Sequence, residues 1–367
     1  MAPRYWMLET IREYAFEQVG REGEALELQR RHAEWVARLA ADLGAALDEK
    51  IERPQLARLD AEYANVTAAL AFASERDPDL TATIVAPVRW WWTTRGRYSE
   101  LERWLEPLLE RDLSPRSRAE VLAARISIAH GRLDWALLRA CGDALLPLSR
   151  SLGMDRLACA ALNALGFAAL QQGDVEQGRA LSLEAIDTAR TVLPARVARY
   201  LGNLGWALRA AGELSEARAL LEEALERARP DGSSYDLPLI LAQRADLALD
   251  EREFENALAL YREALALAEE WKNKRFVALC LSGISAALAG LGRFDDATRL
   301  GAAATALSEK LSLRSSDQEE DERSAELRDR LGAARYETLV VEGRSLRDEE
   351  AVALALSAAL HNGIEQD

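Results

Sequence analysis

The stretch LGNLGWALRAAGELSEARALLEEAL at residues 201–225, with its counterpart LNALGFAALQQGDVEQGRALSLEAI at 162–186, decides the fold. Each predicts two helices joined at a glycine, Gly212 in one stretch and Gly173 in the other, because glycine adopts the left-handed conformation that ends a helix without a Cβ penalty. The two stretches align residue for residue at an offset of 39. Recurrence at such an interval predicts an array of helix pairs.

The same unit recurs along most of the chain. Aligned on the residue that opens each second helix, six copies share anchors 35, 42, 39, 40 and 40 residues apart, at Leu101, Ala136, Gly178, Ala217, Ala257 and Ala297. In five copies a turn glycine precedes the anchor by five residues, at Gly96, Gly131, Gly173, Gly212 and Gly292, and the other copy has Arg252. Small anchors let two helices approach closely. We therefore expect about six helix pairs over residues 81–312.

Helical patterns also flank the repeats. We expect an N-terminal helical segment over residues 1–80 and a C-terminal cap over 313–367. The helices expected in these two segments span 8–19, 26–43, 55–74, 322–331, 333–342 and 347–361. The acidic run at 315–322 predicts a solvated loop or an exposed helix start. The fold class we predict is an all-α solenoid of helix-turn-helix units with extra helices at both ends.

Composition and charge restrict the partners. Alanine, leucine, glutamate and arginine dominate, and the 367 residues include only 10 prolines, which favours helices over strands. A net charge of −15 argues against direct nucleic-acid binding, which needs a dense basic face. No stretch approaches the roughly 18 uncharged apolar residues of a membrane span, and the N-terminus lacks the apolar core of a signal peptide. We expect a cytoplasmic protein without a membrane segment.

Residues for catalysis or metal binding are sparse. The three cysteines, Cys141, Cys159 and Cys280, have no paired spacing, which predicts buried, reduced thiols rather than disulfides or a zinc site. None of the three histidines stands beside a nucleophile at a motif spacing. The sequence also lacks GxxxxGK[ST], so ATP cannot be held in the P-loop manner. We expect a chain that is not an enzyme and has no cofactor or metal.

The unit resembles the tetratricopeptide repeat. That family places a Leu-Gly pair in the first helix, a turn glycine seven residues after the pair, and alanines in the second helix. The pairs Leu165-Gly166 and Leu204-Gly205 match this pattern, and Ala217 with Ala224 fills the second-helix positions of one unit. The resemblance implies a right-handed superhelix whose concave groove binds partners.

Five further strings fall in a characteristic order along the chain. They are RYWMLETIREYAFEQV (4–19), RRHAEWVARLAADL (30–43), LDAEYANVTAALAFA (59–73), VRWWWTTRGRYSELERWLEPLL (88–109) and ARYETLVVEGRSLRDEEAVALAL (334–356). Together they resemble the C-terminal half of bacterial STAND-class signal-transduction ATPases, including LuxR-type and AfsR-like transcriptional regulators. In that family an NTPase domain and a winged helix precede this region. The resemblance implies a sensor arm cut from a larger protein, or a natural short paralogue, that binds a protein, peptide or small effector.

The tetratricopeptide positions that face the groove give candidate binding residues. They are Trp90, Arg125, Asn163, Phe167, Gln171, Arg199, Trp206, Arg209 and Asp246. Among them, Arg199, Trp206 and Arg209 fall near one face of one helix, where two guanidinium groups flanking an indole would hold an acidic or aromatic ligand. The competing interpretation is that the indole packs between repeats while the arginines pair with nearby glutamates.

The tryptophan triplet and the oligomeric state each allow two interpretations. In Trp90-Trp91-Trp92, all three rings fill the core, or Trp90 lies on the concave face as a binding hot spot. For the oligomeric state, a solitary sensor arm competes with a self-associating scaffold. Such a scaffold would bury the segment from Arg4 to Thr10 and the first helix against a second copy, giving a homodimer that needs no ligand.

Overall fold

The computed structural model describes residues 24–231, 234–311, 313 and 318–357, with isolated positions between 8 and 18. Within these residues there are eighteen α-helices and no strand. The helices are α1 (Ala25–Glu49), α2 (Arg53–Arg76), α3 (Pro78–Val85), α4 (Arg89–Thr94), α5 (Tyr98–Leu105), α6 (Pro115–Arg132), α7 (Trp135–Ser151), α8 (Asp155–Gln171), α9 (Val175–Val192), α10 (Val197–Ala210), α11 (Leu214–Ala228), α12 (Leu237–Asp250), α13 (Phe254–Glu270), α14 (Lys274–Gly290), α15 (Phe294–Lys310), α16 (Gln318–Leu331), α17 (Ala333–Ser345) and α18 (Asp348–Ser357). The all-helical solenoid predicted from the sequence is confirmed.

The helices from α6 to α15 form five consecutive pairs, each packed on the next. A further pair precedes them, with α3 and α4 as its first helix and α5 as its second. Its first helix is broken around Pro87, because proline cannot continue a helix hydrogen-bond ladder. The proline packs directly on α1, where a Cβ added to Gly44 would lie 2.5 Å from Pro87 Cβ. The helix predicted over 8–19 lies largely outside the described residues, as do the last residues of the one predicted over 347–361.

The turns inside the pairs use the left-handed conformation. Gly173 and Gly212 have φ of 86° and 85°, as the repeat pattern predicts. The unit that lacks the glycine adopts the same turn, with φ of 62° at Arg252. Backbone geometry at this point is therefore set by the helix pair rather than by the residue type.

The predicted turn at Gly131 is wrong. Helix α6 continues to Arg132, and Leu133 takes the left-handed conformation with φ of 53°. Gly131 serves a different purpose, since a Cβ there would lie 2.2 Å from Cε1 of the Tyr98 ring. The anchor of this unit therefore moves from the exposed Ala136 to the buried Leu138.

Small residues hold the two helices of a pair together, as predicted. A Cβ added to Gly178 of α9 would lie 2.8 Å from the carbonyl oxygen of Gly166 in α8. In the next pair, a Cβ on Gly205 would lie 3.1 Å from the carbonyl oxygen of Ala217, which is fully buried. Larger side chains would separate the helices at these crossings.

The described helices on both sides of the repeats pack on them. Helices α1 and α2 lie against α3, while α17 packs on α15 and α18 contacts α14 and α15. The C-terminus of α1 also reaches the turn before α10, because the buried Arg196 donates from Nη2 to the Leu47 carbonyl at 2.6 Å and from Nε to the Asp48 carbonyl at 3.3 Å. The predicted boundaries of the three segments, at residues 80 and 312, stay a prediction. The contacts described above connect the flanking helices to the repeats across these boundaries.

Candidate functional site

The first helices of the pairs surround a central cavity of about 170 Å³. Helices α4, α6, α8, α10, α12 and α14 contribute to its wall, together with Tyr98 from α5. The wall combines aromatic rings with a few polar groups, as small-molecule sites commonly do. Its side chains include Trp90, Tyr98, His130, Asn163, Phe167, Arg199, Asn203, Trp206, Tyr235, Gln243, Asp246, Arg275 and Phe276.

The nine residues predicted from the sequence divide into two groups. Six lie on the cavity wall, namely Trp90, Asn163, Phe167, Arg199, Trp206 and Asp246. The other three, Arg125, Gln171 and Arg209, do not line this cavity. A binding role for the six stays a prediction.

Aromatic rings form a continuous surface on one side of the cavity. Phe167 is the centre of this surface, with its ring centroid 5.6 Å from that of Trp206 and 5.2 Å from that of Trp135, which does not itself line the cavity. The His130 ring lies 5.6 Å from Phe167. Such a surface offers a planar ligand stacking contacts.

The predicted clamp of two free guanidinium groups around Trp206 does not form. Arg199 donates from Nε to Asp236 Oδ1 at 2.7 Å, and Arg209 donates to Asp250 Oδ2 at 2.8 Å. The arginines therefore pair with carboxylates, as the competing interpretation required, although the partners are aspartates of the following unit rather than glutamates. The charge of Arg199 is neutralised where it lines the cavity.

The three consecutive tryptophans occupy two different environments, the hydrophobic core and the cavity wall. Trp91 and Trp92 are 2% and 0% exposed, and their rings meet edge to face at 4.6 Å. Trp90 lines the cavity, and its indole Nε1 donates to Asp48 Oδ1 of α1 at 2.7 Å. The Arg196 guanidinium lies 4.6 Å from the centroid of the Trp90 ring. Trp90 thus lies on the cavity wall, and its role as a hot spot stays a prediction.

A row of amides crosses the cavity wall from one unit to the next. Asn203 donates from Nδ2 to Asn163 Oδ1 at 3.4 Å, and Gln243 donates from Nε2 to Asn203 Oδ1 at 3.5 Å. At the other end, Asn163 Nδ2 lies 3.4 Å from His130 Nε2. Asn203, Gln243 and His130 line the cavity and were not among the residues predicted from the sequence. The amide spacing of 40 residues, equal to the repeat length, was the signal that would have found the first two.

His130 is a neutral imidazole in this wall. Burial lowers the pKa of His130 to about 3, and the positive charges of Arg199 and Arg275 act in the same direction. A neutral ring leaves Nε2 free to accept a hydrogen bond from the Asn163 amide. The cavity therefore carries no histidine charge at neutral pH.

Asp246 lies beside the aromatic surface. Its carboxylate accepts hydrogen bonds from Trp206 Nε1 at 2.7 Å and from the Tyr261 hydroxyl. Burial raises the pKa of Asp246 above its ordinary value, while Arg209 and the two donors oppose this effect. The carboxylate fixes the orientation of the indole.

Chemistry at other points of the chain is limited. Within the described residues, no three histidine, cysteine, aspartate or glutamate side chains come together as a possible metal site. Cys141, Cys159 and Cys280 are buried free thiols. None of the helices in the described part of the chain combines the length and the apolar character needed to cross a membrane.

The sequence is similar to one protein family and to a group of curated proteins. The tetratricopeptide repeat family profile matches residues 156–229. "Putative HTH-type transcriptional regulator Rv0890c" of Mycobacterium tuberculosis is 29% identical over 205 residues, and the regulator Mb0914c of Mycobacterium bovis matches equally. The alignment covers 52% of this chain and 22% of the relatives. The array of helix pairs thus includes a segment that is similar to the tetratricopeptide repeat family, and the chain has a weak likeness to proteins named as regulators.

A solved structure shares the fold. It is the crystal structure of a Rap protein complexed with competence and sporulation factor, with a TM-score of 0.54 and 13% sequence identity. The similarity covers 88% of this chain and 99% of the Rap chain. At this identity the likeness concerns the fold alone. Helical repeats of this kind are typically interaction scaffolds rather than enzymes.

Proposed function

We propose that this chain is the non-catalytic sensor arm of a bacterial transcriptional regulator, and that an effector binds in the central cavity. An effector here means the molecule whose binding changes the regulator's activity. The resemblance to the STAND class and the 29% identity to proteins named as HTH-type regulators support this role. In a parent protein of that class, the arm would act on an NTPase and a winged-helix domain that precede it.

One observation carries the proposal. Asp48, near the end of α1, accepts hydrogen bonds from the Trp90 indole at 2.7 Å and from the Arg89 guanidinium at 2.5 Å. Both donors line the cavity. The N-terminal helices, which would follow the winged helix of a parent protein, therefore share hydrogen bonds with the site itself.

The mechanism follows from this shared carboxylate. A molecule that contacts the Trp90 ring favours one position of the indole, and through Asp48 it favours one position of α1 relative to the repeats. Coupling of this kind needs only different affinities of the effector for two arrangements of the same helices. The signal would leave the cavity through α1 and α2 towards the preceding domains.

The test combines binding with hydrogen exchange. Thermal unfolding against a panel of metabolites and short peptides identifies a binder, because a ligand at 100 times its Kd adds about 2.7 kcal/mol of stability. We expect such a binder to change amide exchange in α1, and Asp48→Asn to abolish that change while binding persists. Asp42→Asn, at an exposed position of the same helix, is the control. A binder that leaves α1 unchanged in the wild type would contradict the mechanism.

A second candidate function is self-association through the outer face of α1. Leu28 and Trp35 lie on one face of this helix and are both 42% exposed, with the His32 ring stacked on the indole. Exposed apolar side chains that share a helix face favour a protein contact. Sedimentation over a concentration series should show a dimer that Trp35→Glu converts to a monomer. A wild-type chain that remains monomeric at high micromolar concentration would exclude this function.

A further inference from the structure

The charged group that the proposed mechanism leaves unused is the Arg275 guanidinium. Arg275 lies near the start of α14 and lines the cavity, where its Nε donates to the carbonyl oxygen of Gly131 at 3.1 Å. Among the described residues, no carboxylate oxygen comes within 4.0 Å of this group. The other two wall arginines, Arg89 and Arg199, are each paired with an aspartate. Arg275 is therefore the cavity cation without an ionic partner in this part of the chain.

The geometry leaves the free edge of Arg275 available. Because Nε is already bonded to Gly131, the two Nη groups remain as a fork of donors, which matches the two oxygens of a carboxylate. The charged neighbours do not offer a replacement partner. The carboxylate of Asp246 already accepts hydrogen bonds from Trp206 and Tyr261. The carboxylate of Asp236 already accepts hydrogen bonds from Arg199.

The volume of the cavity indicates how large the remainder of an anionic ligand is. A volume of about 170 Å³ is close to the roughly 150 Å³ at which a buried apolar cavity admits benzene. The aromatic surface around Phe167 and Trp206 provides the face on which one ring stacks. A ring with a single acidic substituent fits a volume of this size.

We infer that the cavity binds an aromatic carboxylate, with its ring against Phe167 and Trp206 and its carboxylate on the Arg275 fork. The inference rests on the proposed function in using the same cavity, and it specifies the chemical class of the effector. The carboxylate supplies the missing ionic partner of Arg275, and the ring fills the apolar remainder of the cavity. The same chemistry is present in a free aromatic acid and in a peptide that ends in an aromatic residue.

The experiment uses three isosteric probes, benzoate, benzamide and benzamidine, with isothermal titration of the full chain. We expect benzoate to bind at least about 10-fold more tightly than benzamide, and benzamidine not to bind. Arg275→Gln should weaken benzoate about 10- to 100-fold, because a hydrogen bond to a charged group is worth about 1.5–3 kcal/mol. Arg275→Lys, which keeps the charge, should retain part of the affinity. Arg103→Gln, at a side chain that is 70% exposed, is the matched control.

The outcomes separate this inference from the proposed function. Equal binding of benzamide and benzoate, unchanged in Arg275→Gln, would overturn the carboxylate assignment and leave the cavity as an effector site. A tripeptide ending in phenylalanine serves as the second source. Its binding, lost on amidation of the C-terminus and in Arg275→Gln, would support the assignment with a peptide as the source. No binding of any probe to a wild-type chain that circular dichroism shows to be folded would count against both proposals.

Discussion

At the residue scale, the site is defined by which polar groups have partners and which do not. Arg199 and Trp206 are satisfied by aspartates of the next unit, so their side chains form the wall and are not free to bind a ligand through those donors. Arg275 keeps an unmatched charge, and His130 keeps no charge at all. Burial, together with two neighbouring cations, lowers the pKa of that imidazole, which has a measurable consequence.

We predict that His130 makes stability fall as pH falls. The unfolded chain takes up a proton at His130 below about pH 6.5, while the folded chain does so only near a pKa of about 3. Stability is therefore full above pH 6.5 and decreases below it by about 1.4 kcal/mol per pH unit. In His130→Gln this contribution is absent. Urea unfolding at pH 7 and pH 5 should show the wild type losing about 2 kcal/mol more than the variant.

The other groups in the cavity do not reverse this sign. Asp246, with its raised pKa, contributes a dependence in the opposite direction, but it does so in both proteins and cancels in the comparison. Parallel curves for wild type and His130→Gln would show that the imidazole accepts a proton in the folded chain as easily as in water.

At the element scale, the repeat unit is what the sequence predicts best. Its helices, its turn glycines and its small anchors follow from spacing alone, because each position faces the same surroundings in every unit. The exception at Gly131 has a physical reason. Glycine serves both left-handed turns and close contacts, and the sequence does not distinguish the two uses. Only the Tyr98 ring, packed where a Cβ would stand, shows which use applies here.

We predict that exchanging turn residues between units changes stability in opposite directions. Arg252 holds φ of 62°, where an L-residue is strained, whereas Gly212 adopts φ of 85° freely. Arg252→Gly should stabilise the chain by about 0.5–1 kcal/mol, the released strain less the added entropy of the unfolded chain. Gly212→Ala should destabilise it by about 1 kcal/mol. Urea midpoints measure both effects, and a loss of stability in Arg252→Gly would show that the arginine side chain itself stabilises the turn.

At the scale of the whole molecule, the cavity depends on contacts between parts of the chain that are far apart in sequence. Arg53 of α2 pairs with Glu270 of α13 at 2.6 Å, and Arg275 of α14 reaches the Gly131 carbonyl of α6. Each unit is rotated by a small angle relative to the one before it, and the sum of these rotations brings the distant residues into contact. Sequence patterns specify each unit but not that sum. For this reason six of the wall residues were predicted from the pattern of single units, while the position of Arg275 beside the Gly131 carbonyl of α6 was not.

We predict that Arg196 controls the attachment of α1 to the repeats. Its buried guanidinium donates to the Leu47 and Asp48 carbonyls and lies 3.6 Å from Asp236. Arg196→Met removes the donor of these two carbonyls, while Asp236 keeps its hydrogen bond from Arg199, and should cost about 1–3 kcal/mol. Hydrogen exchange should increase in α1 more than in α15. Arg190→Met, which removes an exposed pair with Asp187, should change stability by less than about 0.5 kcal/mol.

The contact between the two ends of the array has a mechanical consequence. A Cβ on Gly96, in the turn before α5, would lie 2.9 Å from Cδ2 of Leu311, just beyond α15. A coil with free ends behaves as a soft spring, since each unit can yield by a small angle. In this chain the two ends of the array contact each other at Gly96 and Leu311. A change of angle within any one unit therefore also strains this contact. An array closed in this way would respond to the proposed effector in one step, by keeping or losing the contact between its ends, rather than by a gradual change of pitch.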